Sequence, residues 1–357
     1  MPRLVAIRTV APLFGALTLV LVLLGFAVPA PVTALAIGVS VLAAVHHAEV
    51  IAHRVGEPFG TFLFAIAVTV IEVGLIVSVM RADPDSGMAL ARDTVMAAIM
   101  IILGGVTGAC LLLGGIRHGE QRYRQSGVSA ALATLAALSV ITLILPNHVT
   151  TVAGPFYATA QLAFVGIVSL VLYATFVLVQ TVRHRNYFLP SDCAPAPRDT
   201  PAPLPSAVLA TASAVLLVVS LFSIVFLAGE LAPTVEAGLQ SIGAPKALVG
   251  VIIAGIVLLP EGLAAMRAAA ANRLQTSLNL ALGSALATIG LTIPVVATIA
   301  ILSDWQLVLG VNGTNEVLLA LTLLVSTLSL STGRTTIMQG ALHVMLFAIF
   351  LFMLIVP

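Results

Sequence analysis

Charge is what this sequence has least of. Asp, Glu, Lys and Arg make up 8% of its 357 residues, against about 25% in soluble globular proteins. That is too little to cover a water-facing surface of this size. The 15 basic and 14 acidic residues leave a net charge of +1, so no field of one sign gathers polyanions, and nucleic acid is excluded as a partner. Cysteine is almost absent: Cys110 lies in an apolar run and Cys193 in a Pro-rich stretch, which gives neither a disulfide framework nor a metal cluster. No His-Glu-x-x-His occurs, nor an Asp-rich phosphate site or a Ser/His dyad at plausible depth. An enzyme is therefore not expected, and no cofactor.

What is abundant is apolar sequence, 60% of the chain, with a mean hydropathy of +1.16. A spanning helix needs about 20 mostly apolar residues. That length fits eleven segments: 10–28, 32–54, 59–81, 93–115, 127–146, 156–181, 206–228, 246–266, 275–302, 307–330 and 336–356. The first follows Met1-Pro2-Arg3 as a signal peptide would. It is long, lacks a small-residue cleavage site and reads as a transmembrane helix. The expected fold is an all-α polytopic membrane protein.

One long polar break, Arg183 to Pro205, carries six prolines from Pro190 to Pro205 and suits an extended, solvated linker. When loops alternate between two sides, one side receives Arg3, Arg8, Arg54, Arg117, Arg122, Arg124, Arg183, Arg185, Arg198, Arg267, Arg273 and Arg334. The other receives Arg81, Arg92 and Lys246. The positive-inside rule then places the N-terminus and the linker in the cytoplasm and Pro357 outside, and adding or dropping a span would scramble the bias. Asp83, Asp85, Asp93, Glu230, Glu236 and Asp304 fall on the outer face.

The halves resemble each other. Gly56-Glu57-Pro58 precedes an apolar span with Glu72, and Gly243-Ala244-Pro245 precedes one with Glu261. The organisation expected is an extra N-terminal helix (1–31), a five-helix repeat (32–181), a linker (182–205) and a second repeat (206–357). Five spans per repeat invert the second relative to the first, an architecture of secondary transporters.

An ionisable side chain at mid-membrane costs roughly 2.5–3.5 kcal/mol on insertion scales. Glu72 and Glu261 sit well inside their spans at matched places. Pro260 and Gly262 flank Glu261 and predict a broken helix with freed carbonyls beside a carboxylate, a combination that binds cations. On the next helix Ser277, Ser284 and Thr288 share one face, with Asn279 and Thr292 nearby. Ordinary small-residue packing accounts for that face equally well. His46, Glu49 and His53 recur at i, i+3 and i+7, flanked by His47 and Glu57. They read as a proton relay, an ion vestibule or a solvated helix end. Glu316 lies early in the tenth span and reads as the rim of an extracellular entrance or as a polar helix start, and His343 stands alone on the last span.

These residues carry a resemblance. Leu259-Pro260-Glu261-Gly262-Leu263, Gln275-Thr276-Ser277-Leu278-Asn279-Leu280 and Gly283-Ser284-Ala285-Leu286-Ala287-Thr288 resemble the ChaA-type bacterial calcium/sodium–proton antiporters of the calcium/cation antiporter superfamily. So do His46-His47-Ala48-Glu49, Gly56-Glu57-Pro58, Val70-Ile71-Glu72-Val73, Ala91-Arg92-Asp93-Thr94 and Ser331-Thr332-Gly333-Arg334-Thr335. The resemblance implies eleven spans in two inverted repeats with essential glutamates, here Glu72 and Glu261. Neither glutamate carries the neighbouring Asn of better-known superfamily members, and Gly-Ser occurs only at Gly283-Ser284. The linker has Arg183-His184-Arg185 and prolines in place of an acidic stretch.

The expectation is a cation/proton antiporter of the bacterial cytoplasmic membrane. It would export Ca²⁺, or Na⁺ or K⁺, against protons at Glu72 and Glu261, with Ser284 and Thr288 adding oxygens. Inorganic cations, protons and the lipid bilayer are the partners. A cation channel without proton coupling is the alternative, and the sparse polar residues argue against its continuous path.

Overall fold

The chain folds as long helices because its apolar runs must satisfy every backbone N–H and C=O internally once water is removed. The computed structural model describes residues 2–55, 59–82, 88–189, 204–241, 243, 245 and 247–356. Among them seven helices are long and apolar enough to cross a membrane, and a bent pair makes an eighth. Contacts divide the chain into two units, residues 1–87 with 196–246, and residues 88–195 with 247–357.

The first unit holds α1 (Pro2–Leu23), α2 (Ala30–Val55), α3 (Phe59–Ala82) and α7 (Ala207–Ser241). α1 stops short of its predicted end because Gly25, at φ +82°, turns the chain left-handed. The Gly25 and Phe26 amides then bond back to Val22 and Leu21, a Schellman closure. α2 is the hub, packed on α1, α3 and α7. Small side chains permit this: a Cβ on Gly15 would run into Ser40 and Ser223, and one on Gly74 into Val225. Ser78 Oγ donates to the Val225 carbonyl at 2.6 Å. α7 overruns its predicted span by more than three turns, through Pro233 to Ser241. Hydropathy marks where apolar sequence ends, and an Ala-, Leu- and Glu-bearing tail stays helical beyond that point.

The second unit holds α4 (Leu90–His118), α5 (Gln125–Asn147), α6 (Thr159–Arg183) and α9 (Leu274–Leu302). It also holds α8 (Ala247–Ala270), α10 (Gly313–Ser329) and α11 (Ile337–Ile355). α4 is the core of this unit: most of its apolar length is buried, whereas most of that of α11 is not. α8, α9 and α11 pack around it. The outer side of α6 exposes Phe164, Ile167 and Val171, an apolar stripe that suits lipid rather than water.

Among the described residues four helices widen into π segments: Ile101–Val106 in α4, Val140–Ile144 in α5, Val179–Arg183 in α6 and Thr288–Thr292 in α9. Two of them precede prolines, Pro146 and Pro294, which have no N–H to return to the preceding turn.

Both ends of this unit are tied. A two-residue ribbon pairs β1 (Gln121–Arg122) with β2 (Arg334–Thr335), antiparallel, Gln121 opposite Thr335. At the other end the segment before α10 is extended rather than helical, a correction to the predicted span 307–330. Its amides bond outward, Val308 to Met88, Gly310 to Pro155 and Val311 to Leu143. The helix begins only where the Asn312 side chain accepts from the Asn315 amide at 2.8 Å.

Candidate functional site

The chemistry-bearing residues of the second unit gather on α8 and α9, which lie against each other. Glu261 is 8% exposed. The axis of α8 bends by 53° between Leu259 and Glu261, so the carboxylate starts the second arm of the helix. A bend here opens the i→i−4 ladder, because Pro260 donates nothing to Ile256. On α9, Ser284 is half-buried and Thr288, one turn on, is buried. Thr288 also starts the π segment that runs to Thr292. A carboxylate, two hydroxyls and carbonyls displaced from two helical ladders thus belong to one pair of helices.

One neighbour in that sequence, Asn279, is engaged elsewhere. The Asn279 amide donates to the Phe188 carbonyl at 2.6 Å and accepts from Gln275 at 2.9 Å, tying the start of α9 to the segment after α6. Ser277, on the same helix face as Ser284 and Thr288, is fully buried.

Glu72 lies in the first unit, 2% exposed on α3. On α2, His46 is half-buried while Glu49 and His53 are exposed. The side chain that penetrates the unit is instead His47, buried, with Nδ1 3.2 Å from Ser213 Oγ on α7. Its ring lies 5.4 Å from that of His46. Sequence spacing made His46 part of a face and His47 only a flank. The buried partner Ser213 sits on a helix far along the chain, where no local pattern advertises it. Glu57 lies outside the described residues.

Glu316 occupies the first turn of α10. It accepts from His148 Nε2 at 2.9 Å and Asn147 Nδ2 at 3.3 Å. That pairing, linking the end of α5 to the start of α10, was not read from the sequence. Its signal was the polar Asn147-His148 step, which loop alternation puts on the same side as Glu316. His343 is fully buried and hydrogen-bonded on both ring nitrogens, to Leu103 and Ser329. Among the described residues no group of three or more His, Cys, Asp and Glu is placed to hold a metal.

Comparison with known proteins places this arrangement. The family model described as sodium/calcium exchanger protein matches residues 30–182 and 212–356, both halves of the chain. The putative ionic transporter y4hA of Sinorhizobium fredii is 48% identical over 322 residues, 89% of this chain and 86% of that one. The sodium-potassium/proton antiporter ChaA of Escherichia coli is 36% identical over 313 residues, 87% of this chain and 84% of that one. Among solved structures, the H⁺/Ca²⁺ exchanger CAX superposes with a TM-score of 0.71 at 17% identity, covering 96% of this chain and 87% of its own; this likeness shows the fold. One exchanger family accounts for both halves, and an antiporter is alike over most of the length. The chain therefore belongs to the sodium/calcium exchanger family, in the ChaA-type branch of the calcium/cation antiporters, and is a multi-pass membrane transporter rather than an enzyme.

Proposed function

We propose that the protein is a secondary antiporter of the bacterial cytoplasmic membrane, exporting Ca²⁺, or Na⁺ or K⁺, in exchange for protons. Glu72 and Glu261 carry the exchange. The observation that carries this reading is Glu261, buried at the bend of α8 beside a helix whose Thr288 opens a π segment. A buried carboxylate needs its charge compensated. One Ca²⁺ neutralises two carboxylates, and so do two protons, so the two cargoes exclude each other at the same groups. A monovalent cation neutralises one and leaves the other to a proton. Ser284, Thr288 and displaced backbone carbonyls supply neutral oxygens toward the six to eight that Ca²⁺ takes.

Eleven spans, in two inverted five-helix repeats after an extra first helix, provide the alternating access. The N-terminus and the Pro-rich linker lie in the cytoplasm, on the arginine-rich side, and the C-terminus outside. His46, Glu49 and His53 form a vestibule at the cytoplasmic end of α2, and Glu316 lies toward the outer side. Support comes from the arginine distribution, from the matched placing of Glu72 and Glu261, and from relatives named as cation/proton antiporters.

The test is proton efflux from acid-loaded everted vesicles on separate addition of CaCl₂, NaCl or KCl. Dequenching by one salt is expected, lost in Glu72→Gln/Glu261→Gln. Ion-dependent proton movement that survives the double substitution would make both carboxylates structural. Cation flux without proton movement would make the protein a channel.

A further inference from the structure

His343 lies in the middle of α11 with no exposed surface. Its Nδ1 is 2.5 Å from the Leu103 carbonyl oxygen on α4, and its Nε2 is 2.8 Å from Ser329 Oγ at the end of α10. A carbonyl only accepts, so Nδ1 carries a proton. In the neutral ring Nε2 then accepts from the Ser329 hydroxyl. One imidazole thereby joins three helices of the second unit.

The carbonyl it holds belongs to the π segment Ile101–Val106. A π turn carries one residue more than an α turn and displaces carbonyls from the regular ladder, so such segments persist where something else satisfies them. The same solution appears on α5. There the π segment before Pro146 is accompanied by Tyr157, whose hydroxyl donates to the Ile141 carbonyl at 2.6 Å.

Glycines let α11 come close enough to bond. A Cβ on Gly104 would lie 2.8 Å from Phe347 Cβ and 3.2 Å from the His343 carbonyl oxygen, and one on Gly108 2.8 Å from the Val344 amide. At the end of the π segment Val106 reaches α8: its Cγ2 would lie 3.1 Å from a Cβ on Gly262. Gly262 is the residue after Glu261, at the bend. The π segment of α4 is therefore in contact with His343 through one residue and with the bend of α8 through another.

We infer that His343 is a positioning residue for Glu261: by holding the Leu103 carbonyl it fixes the π register of α4, and with it the Val106 wall on which the bend of α8 seats. Without that hydrogen bond α4 can close into a regular α-helix. Closing removes the extra residue from the turn and rotates Val106 relative to Gly262. Glu261 then loses its fixed place, and cation affinity suffers before maximal rate does. The inference rests on the reading of Glu261 as an exchange carboxylate.

The test measures salt-dependent proton efflux in everted vesicles carrying the full chain, with whichever of CaCl₂, NaCl or KCl gives the largest wild-type response. Half-saturation and maximal rate are read at three pH values for His343→Leu, His343→Asn, Ser329→Ala and Glu261→Gln. His343→Leu is expected to raise the half-saturating concentration about tenfold or more, the size usual for groups that orient a metal ligand, with a smaller loss of maximal rate. His343→Asn keeps a donor at the Nδ1 position, so it should stay within about threefold of wild type, with the wild-type pH profile. Ser329→Ala leaves the Leu103 bond intact and should do the same.

Wild-type half-saturation in His343→Leu would overturn the inference. So would an Asn variant as impaired as Leu, or a shifted pH profile in the Asn variant, since either would mean that the imidazole itself carries protons. If His343→Leu fails to elute as a single species from detergent, the Asn variant decides by the same criteria. Wild-type exchange in Glu261→Gln would instead overturn the antiport site itself, whatever the His343 variants do.

Discussion

Glu72 and Glu261 are buried, and a cation held there, as proposed, should stabilise the purified protein. A cation at 100 times its dissociation constant is expected to add about 2.7 kcal/mol, seen as a rise in detergent unfolding temperature. The same salt should leave Glu72→Gln/Glu261→Gln unmoved; an equal rise in both would mean nonspecific salt action. Gly108→Ala brings a methyl to 2.8 Å from the Val344 amide and 2.9 Å from His343 Cβ. Overpacking of that kind costs about 1–3 kcal/mol, measurable in the same unfolding experiment. At this scale the sequence names candidate carboxylates but not the partners that side chains meet across helices. Glu261 announces itself by sitting beside Pro260 inside an apolar run. His47 with Ser213, His148 with Glu316, and His343 with Leu103 are joined across helices, and no local spacing encodes that.

Helices were the most legible element. Apolar runs of spanning length predicted the helical stretches, and the misses lie where length was not set by hydropathy. α1 ends early at a left-handed glycine, α7 continues as a polar helix, and α10 starts late behind an asparagine cap. The π segments escaped altogether, although Pro146 and Pro294 were visible, because a proline says that a hydrogen bond is missing and not how the helix adjusts. That logic gives two predictions. Pro294→Ala restores an N–H that can close the Thr288–Thr292 segment into α geometry. It is expected to hold or raise unfolding temperature while raising the half-saturating cation concentration several-fold; unchanged transport would detach the π segment from cation binding. Tyr157→Phe leaves the Ile141 carbonyl without its donor and should cost about 1–3 kcal/mol, with transport kinetics little altered because the change is remote from Glu261 in sequence and chemistry.

For the whole molecule, the arginine asymmetry predicts a defined orientation. A fluorescent-protein fusion after residue 356 should be dark and an alkaline phosphatase fusion there active, with the reverse for fusions within the linker 182–205. Matching signals at both places would refute an odd number of spans between the linker and the C-terminus. In the sequence, recurring glutamates and Gly-x-Pro steps suggest a repeat. The division into two units was not legible there, since it follows packing rather than order along the chain. The second unit draws on residues 88–195 and 247–357, and its ribbon pairs Gln121–Arg122 with Arg334–Thr335. During biosynthesis the ribosome delivers α4 to α6 to the membrane well before α10 and α11 exist. Until then the glycine face of α4 and the edge of β1 have only lipid or insertion machinery for company. Completion of this unit is thus a post-insertion event. Chains interrupted before α11 should be recognised as orphans and degraded, even with every residue of the proposed cation site already made.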